Sequence, residues 1–159
     1  MKQFIFLLLT LSVLACGGGG DPAPTPTPPT PTVSVSTLVK KVWTVNTAQW
    51  DGVTKYDKAG TANVVQGYAQ YKLDLSTAGS VTLTEFDGKI FTGTYTVATD
   101  GLSLTLNGLT SADGAPTGTG GTITYSILVT PTATTLSLQQ TTAYVKASSA
   151  IVKLALVNP

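Results

Sequence analysis

An all-β fold is predicted for residues 33–159 by three features of the sequence. Residues that favour strands, above all Thr, Val and Tyr, are plentiful there, whereas glutamate occurs once, as Glu85. Apolar and polar residues alternate with a period of two in several segments, as half-buried strands require. Turn residues, including Asp-Gly pairs, separate these segments. Together the three features predict an antiparallel arrangement of short strands.

Eight strands are predicted to follow a short helix or turn at 35–41. They lie at 42–49, 65–75, 80–86, 89–97, 102–107, 122–130, 134–142 and 150–157. A loop that contains Asp51-Gly52 is predicted between the first and second strands. Gly67 predicts a bulge within the second strand. Asp87-Gly88 predicts a two-residue type I′ turn between the third and fourth strands.

Short turns join most of these strands, which predicts an eight-stranded antiparallel up-and-down meander. No predicted helix is long enough for the crossover that parallel strands need. Eight such strands can close into a barrel, and closure removes the exposed edges of a flat sheet. A β-sandwich with the same number of strands is the alternative architecture.

The first fifteen residues have the three parts of a secretory signal peptide. Lys2 supplies the positive charge, and residues 4–13 form an apolar run that is too short to span a membrane. Leu14-Ala15-Cys16-Gly17 resembles the lipobox of bacterial lipoproteins, in which a signal peptidase cuts before the cysteine and the thiol receives a diacylglycerol. The resemblance implies that residues 1–15 are removed and that Cys16 is lipidated. A signal peptide with a chance cysteine is the alternative.

Residues 16–32 are predicted to be the lipidated cysteine followed by a disordered tether. Four glycines precede a segment in which Pro alternates with Ala or Thr, a composition that favours extended polyproline II structure. The folded β-domain is therefore predicted at 33–159. A segment of this length buries one core rather than two.

Several classes of function are excluded by residues that the sequence lacks. No histidine is present, and the single cysteine is predicted to be lipidated, so neither a Ser-His-Asp triad nor a thiolate metal site can form. Nucleic-acid binding needs a dense basic face, usually with arginine, and the sequence contains no arginine. A nucleic-acid partner is therefore not expected. Glu85 and Asp87 could suggest a catalytic carboxylate pair, but the turn explains Asp87 better. The chain is predicted to be neither an enzyme nor a binder of metals or cofactors.

Three segments resemble the lipocalin-like lipoproteins of Bacteroidetes-type bacteria. They are the opening of the first strand at 38–43, the pair 91–97 and 102–106, and the segment 125–129 that leads to 135–138. The resemblance implies a small eight-stranded barrel whose interior can hold a ligand, and it implies no particular ligand. Trp43, in the first of these segments, is predicted to plug the core at the base of the barrel.

Four side chains are predicted to contact a ligand. They are Tyr71, Glu85, Tyr95 and Tyr125. Each tyrosine lies within a predicted strand among bulky residues, and a ring with a polar tip suits both a cavity wall and a packed core. Glu85 continues the buried face of Val81 and Leu83, where a carboxylate is costly unless it is paired or solvated. A strand-end position near water is the alternative for Glu85.

These observations predict a lipoprotein of the cell envelope that is anchored in the outer membrane through Cys16. Its barrel is predicted to hold a small apolar or amphipathic ligand in an internal cavity of a few hundred Å³. The alternative is a structural or interaction lipoprotein with a packed core, which binds an envelope protein or a surface glycan through its outer face. An interior filled by side chains would contradict the internal cavity.

Overall fold

The structure is a computed structural model, and it describes residues 33–159. The predicted signal peptide, the lipidated Cys16 and the predicted tether lie outside the described residues. The elements in chain order are α1 (Val35–Leu38), β1 (Val42–Trp50), β2 (Val53–Asp57), a first 3₁₀ helix (Gln66–Gln70), β3 (Lys72–Asp74), β4 (Ser80–Thr84), β5 (Ile90–Val97), β6 (Ser103–Thr110), β7 (Ile123–Val129), β8 (Thr135–Gln140), a second 3₁₀ helix (Val145–Ala147) and β9 (Val152–Val157).

Eight of the nine strands close into an antiparallel up-and-down barrel. Each strand from β3 to β8 pairs with the next, and β3 also pairs with β1. The last strand, β9, returns to pair with β1 from Thr44↔Val157 to Trp50↔Val152. β2 is an additional strand that pairs only with β1. The predicted eight-stranded meander is therefore confirmed, and the alternative β-sandwich is wrong.

Inward-pointing side chains fill the barrel. In β4, for example, Val81 and Leu83 are buried, whereas Thr82 and Thr84 point outward and are half-buried. Burying one large apolar side chain contributes about 1.5–3 kcal/mol. The buried core includes Trp43, Tyr68, Tyr71, Leu73, Leu83, Phe91, Leu104, Leu106, Tyr125, Leu138 and Leu154.

The two ends of the barrel differ in what covers them. We call the end with α1 and the turns after β3, β5 and β7 the base. The opposite end, the mouth, carries the β1–β2 turn, the first 3₁₀ helix, the β4–β5 turn, the β6–β7 loop and the β8–β9 segment. At the base, the indole Nε1 of Trp43 donates a hydrogen bond to the Val39 carbonyl at 2.9 Å, and both residues are fully buried. Trp43 therefore closes the base of the barrel, as the sequence predicts.

At the mouth, a hairpin forms in the region after β1 where the sequence predicts a loop. Asp51 and Gly52 have φ of 46° and 80°, and two consecutive positive φ values are typical of a type I′ turn. This turn leads from β1 into β2. Only Tyr56 of β2 is buried, so the strand lacks the apolar alternation that would have predicted it.

The strand predicted at 65–75 is wrong for most of its length. Gln66–Gln70 forms a 3₁₀ helix, and only Lys72–Asp74 pairs as a strand. Gly67 does not form the predicted bulge but packs against the β4–β5 turn, where an added Cβ would lie 1.9 Å from the carbonyl oxygen of Phe86. The glycine is needed because two backbone segments approach each other there.

We expect Gly67→Ala to destabilise the chain, because the added methyl group collides with the backbone of Phe86. Overpacking of this kind costs about 1–3 kcal/mol, which would lower the midpoint of urea unfolding. Ala69→Ser is the matched control, since Ala69 is exposed in the same helix and exposed substitutions change stability by about 0.5 kcal/mol or less. Equal urea midpoints for Gly67→Ala and the unmodified chain would contradict this packing.

Candidate functional site

Three of the four predicted ligand contacts meet near the mouth. Tyr71, Glu85 and Tyr125 line one small enclosed space, and the hydroxyls of Tyr71 and Tyr125 are 3.4 Å apart. Tyr95 does not belong to this group, because its hydroxyl donates to the carbonyl of Leu75 at 3.2 Å, toward the base. All four side chains are buried.

The space that these side chains enclose is about 10 Å³, which is about the size of one water molecule. Tyr71, Glu85 and Tyr125 therefore do not line an internal cavity of the predicted few hundred Å³. Aromatic side chains occupy the volume instead, and the rings of Tyr68 and Tyr71 lie 6.0 Å apart between their centroids. A ligand could touch Tyr71 or Tyr125 only if this packing opened.

Glu85 is positioned by the turn that joins β4 to β5. The N–H of Gly88 donates to the Glu85 carbonyl at 2.9 Å, and the N–H of Glu85 donates to the Lys89 carbonyl at 2.8 Å. Gly88 has a φ of 83°, whereas Asp87 is not among the residues with positive φ. The turn is thus a three-residue loop closed by a left-handed glycine, and the predicted type I′ turn is wrong. The Asp87 carboxylate accepts the Lys89 N–H at 3.0 Å, as a turn residue would.

The Glu85 carboxylate is buried and bound by two side chains of the β8–β9 segment. Only 2 % of the residue is exposed. The Tyr144 hydroxyl donates to Oε1, and Nζ of Lys146 donates to Oε2. Lys146 also donates to Oδ2 of Asp87 at 2.8 Å. A buried carboxylate is tolerated when it is paired and hydrogen-bonded in this way, so Glu85 is not the solvated strand-end residue of the alternative interpretation.

Contacts within this cluster shift the pKa values of Lys146, Asp87 and Tyr144. Burial alone would lower the pKa of Lys146, but hydrogen bonds and charges from Asp87 and Glu85 outweigh it and raise that pKa. Burial opposes the charged form of Asp87 as well, yet the hydrogen bonds from Lys146 and the Lys89 backbone lower its pKa. Burial and the Glu85 carboxylate raise the pKa of Tyr144. The phenol therefore keeps its proton and remains a donor.

A second polar group lies beside the tyrosines. Gln140 ends β8 on its buried face and is 6 % exposed. Burial raises the pKa of the neighbouring Tyr125 to about 12, against the opposing effect of Tyr71 and Gln140. Oε1 of Gln140 is shielded from solvent and has no hydrogen-bond partner among the described residues.

A groove opens to solvent on the other side of Gln140 and Tyr144. This mouth groove measures about 340 Å³. It is lined by Gly118, Thr119, Thr122, Ile123, Thr124, Gln140, Thr141, Thr142, Ala143 and Tyr144. Gln140 and Tyr144 also line the small enclosed space, so these two side chains form the wall between the groove and the barrel interior.

Sequence reasoning missed Gln140, Tyr144 and Lys146 as members of the site. Gln140 follows Leu136 and Leu138 on alternate positions of one strand, and this alternation could have placed its amide in the core. Tyr144 and Lys146 lie in a segment without periodicity. Only the three-dimensional structure brings that segment to Glu85.

Among residues 33–159, no group of three or more His, Cys, Asp or Glu side chains is arranged to hold a metal ion. The same part of the chain contains no helix long and apolar enough to cross a membrane.

The closed barrel with a plugged base and a separate mouth is a lipocalin-like architecture. No protein-family model and no curated protein matches the chain. Two solved structures are similar to it, each with 13 % sequence identity. One is a lipocalin-like protein from Bacteroides uniformis (TM-score 0.47, covering 77 % of this chain and 99 % of that one), and the other is an uncharacterized protein from Bacteroides eggerthii (TM-score 0.44, covering 75 % and 98 %).

We expect Lys146→Met to destabilise the chain by about 3 kcal/mol, because it leaves the buried Glu85 carboxylate without its cation. Adding Glu85→Gln should recover part of that loss, since no unpaired charge then remains. Lys153→Met is the control, because Lys153 is exposed on β9 and makes no ion pair in the described part of the chain. Equal stabilities of Lys146→Met and Lys153→Met in urea would contradict the pairing.

The stability difference between the unmodified chain and Lys146→Met should depend on pH in a defined way. Folding lowers the pKa of Asp87, so this residue's contribution to the free energy of unfolding is present above its unfolded-state pKa of about 4 and is lost as the pH falls through its folded-state pKa. Folding raises the pKa of Lys146, so the contribution of Lys146 is present below its unfolded-state pKa of about 10.4 and is lost as the pH rises through its folded-state pKa. Urea unfolding should give a constant difference between these limits and a smaller one outside them.

Proposed function

We propose that this chain is a cell-envelope lipoprotein, anchored through a lipidated Cys16, whose barrel binds a small amphipathic ligand at its mouth. The solvent-open groove of about 340 Å³ at the mouth carries the proposal, since its volume lies within the range of small-ligand sites. Glu85 and Gln140 are the buried polar or charged residues of the described part of the chain, and both lie at this end. Tyr144 and Lys146 satisfy Glu85, so its cluster supports the wall of the groove.

The base offers no comparable chemistry in its core. Trp43 and Val39 close it, and aliphatic side chains such as Leu73 and Leu75 surround them. The described residues also begin at the base, where Val33 and Val35 lie against the β5–β6 turn. The described chain enters the barrel at the base, whereas the buried polar groups and the groove lie at the mouth. This arrangement suits the binding of a ligand at the mouth.

The membrane anchor is supported by the sequence of residues 1–16. A run too short to span a bilayer, followed by the chain's single cysteine, suits lipidation better than insertion. Two acyl chains on that cysteine would make the attachment durable. We place the anchored protein in the outer membrane of the cell envelope.

Binding is favoured over catalysis by the state of the only buried carboxylate of the described residues. Both oxygens of Glu85 are occupied, one by Tyr144 and the other by Lys146. Asp87 is tied to Lys146 and to its own turn. A general acid or base must be free to exchange a proton with a substrate, whereas these groups hold two segments of the chain together.

A second candidate function is favoured by the packed interior. A barrel that encloses only about 10 Å³ near its mouth has no room for the internal ligand that the fold could otherwise hold. The domain would then bind an envelope protein or a surface glycan through its outer face, where Thr92, Thr94 and Thr96 form one exposed row on β5.

Mass spectrometry of the mature chain, extracted in detergent from membranes of the source organism, tests the proposal. Under denaturing conditions we expect the mass of a chain that begins at Cys16 and carries a diacylglycerol. Under native conditions we expect a further small molecule in a one-to-one complex. An unlipidated mass would contradict the anchor, and a bare native mass would favour the second candidate. Cys16→Ser, which cannot be lipidated, is the control for the denatured mass.

A further inference from the structure

Gln140 brings a shielded acceptor to the interior side of the groove wall. Its side chain lines both the mouth groove and the small enclosed space. Oε1 is closed off from solvent and has no hydrogen-bond partner among the described residues. Because the groove is open to solvent, an atom that faced it would be accessible, so Oε1 lies on the side of the enclosed space. A buried acceptor without a partner is uncommon in folded proteins and calls for a donor.

The tyrosine pair brings a hydroxyl proton to the same space. Tyr71 and Tyr125 both line it, and their hydroxyl oxygens are 3.4 Å apart. Each phenol carries one proton, so the bond between the two hydroxyls uses one of two protons, whichever phenol donates. Neither hydroxyl makes a second bond among the hydrogen bonds of the described residues. One buried donor and one buried acceptor therefore line the same space without contacting each other.

The volume and the walls of this space suit one water molecule. About 10 Å³ is at the lower limit for holding a water and leaves no room for a larger molecule. A buried water also needs about two to four polar partners. Besides Oε1 and the tyrosine pair, the space is lined by Glu85 and Tyr144. Their oxygens have lone pairs beyond those used in the bond that joins them.

We infer that one ordered water molecule occupies this space and bridges Gln140 to the pair of Tyr71 and Tyr125. The water accepts a hydrogen bond from the tyrosine hydroxyl whose proton is not used within the pair, and it donates one to Oε1 of Gln140. Its second hydrogen has acceptors in Glu85 and Tyr144. The inference does not depend on the proposed function, since the water is held whether or not the groove binds a ligand.

The bridge joins three parts of the barrel from behind the groove wall. Tyr71 directly precedes β3, Tyr125 lies in β7, and Gln140 ends β8. The water thus extends the polar contacts of Glu85 into the interior and holds the side chain of Gln140 in the wall. An apolar molecule that entered here would have to displace the water without replacing its hydrogen bonds, which loses affinity. The site therefore helps to keep apolar ligands out of the interior.

A crystal structure of residues 16–159 with Cys16→Ser, which carries no lipid and needs no detergent, tests the inference directly. We expect electron density for one water within hydrogen-bond distance of Oε1 of Gln140 and of the hydroxyl of Tyr71 or Tyr125. A space without density would overturn the inference. A direct hydrogen bond between Gln140 and a tyrosine hydroxyl, or density for a larger molecule, would overturn it as well.

Oxygen-17 relaxation dispersion of the same chain in solution is the second test, because it counts water molecules that stay buried for longer than the protein takes to tumble. We expect Gln140→Leu to lose the signal of one such water, since leucine offers no acceptor. Gln139→Leu is the matched control, because Gln139 precedes Gln140 on β8 and points outward, and it should keep the signal. Equal signals from the two variants would overturn the assignment of Gln140 as the acceptor. If Gln140→Leu does not fold, the crystal structure with Gln140 in place decides alone.

Discussion

The burial of one carboxylate organises the mouth of this barrel. Glu85 directly follows β4, and its two carboxylate oxygens are bound by Tyr144 and Lys146, about sixty residues further along the chain. These bonds tie the β4–β5 turn to the β8–β9 segment across the mouth. Removing one partner would leave an unpaired buried charge, which is among the costliest defects a core can contain. The position of Tyr144 in the wall of the mouth groove depends on this attachment.

The packing of the interior decides where function can reside. Tyr68, Tyr71 and Tyr125 occupy the upper part of the barrel and leave only about 10 Å³ between their neighbours. The fold would accommodate an internal ligand, but these side chains do not. What remains for recognition is the surface of the mouth, where buried polar groups adjoin a solvent-open groove. The polar cluster thus has two roles, since it closes the interior and shapes the groove.

The sequence predicts the barrel well because strand alternation is local, and seven of the eight predicted strands lie within three residues of strands in the structure. It fails where local patterns mislead: Gly67 marks a close approach of two backbones rather than a bulge, and β2 has only one buried residue. The site is only partly predictable. The alternation of apolar and polar residues in β4 predicts that Glu85 is buried, but its partners lie about sixty residues away in the sequence. The volume left between the aromatic rings depends on side-chain rotamers, which no sequence pattern predicts.

The filled interior is tested most directly by methyl NMR of the mature chain under xenon pressure, because xenon enters apolar cavities large enough to hold it. The account predicts no saturable shift for the inward-pointing methyl groups of Leu83, Leu104 and Leu154. Saturable shifts at these methyl groups would reveal an internal cavity. They would contradict the placement of the ligand at the mouth and restore the barrel interior as the binding site.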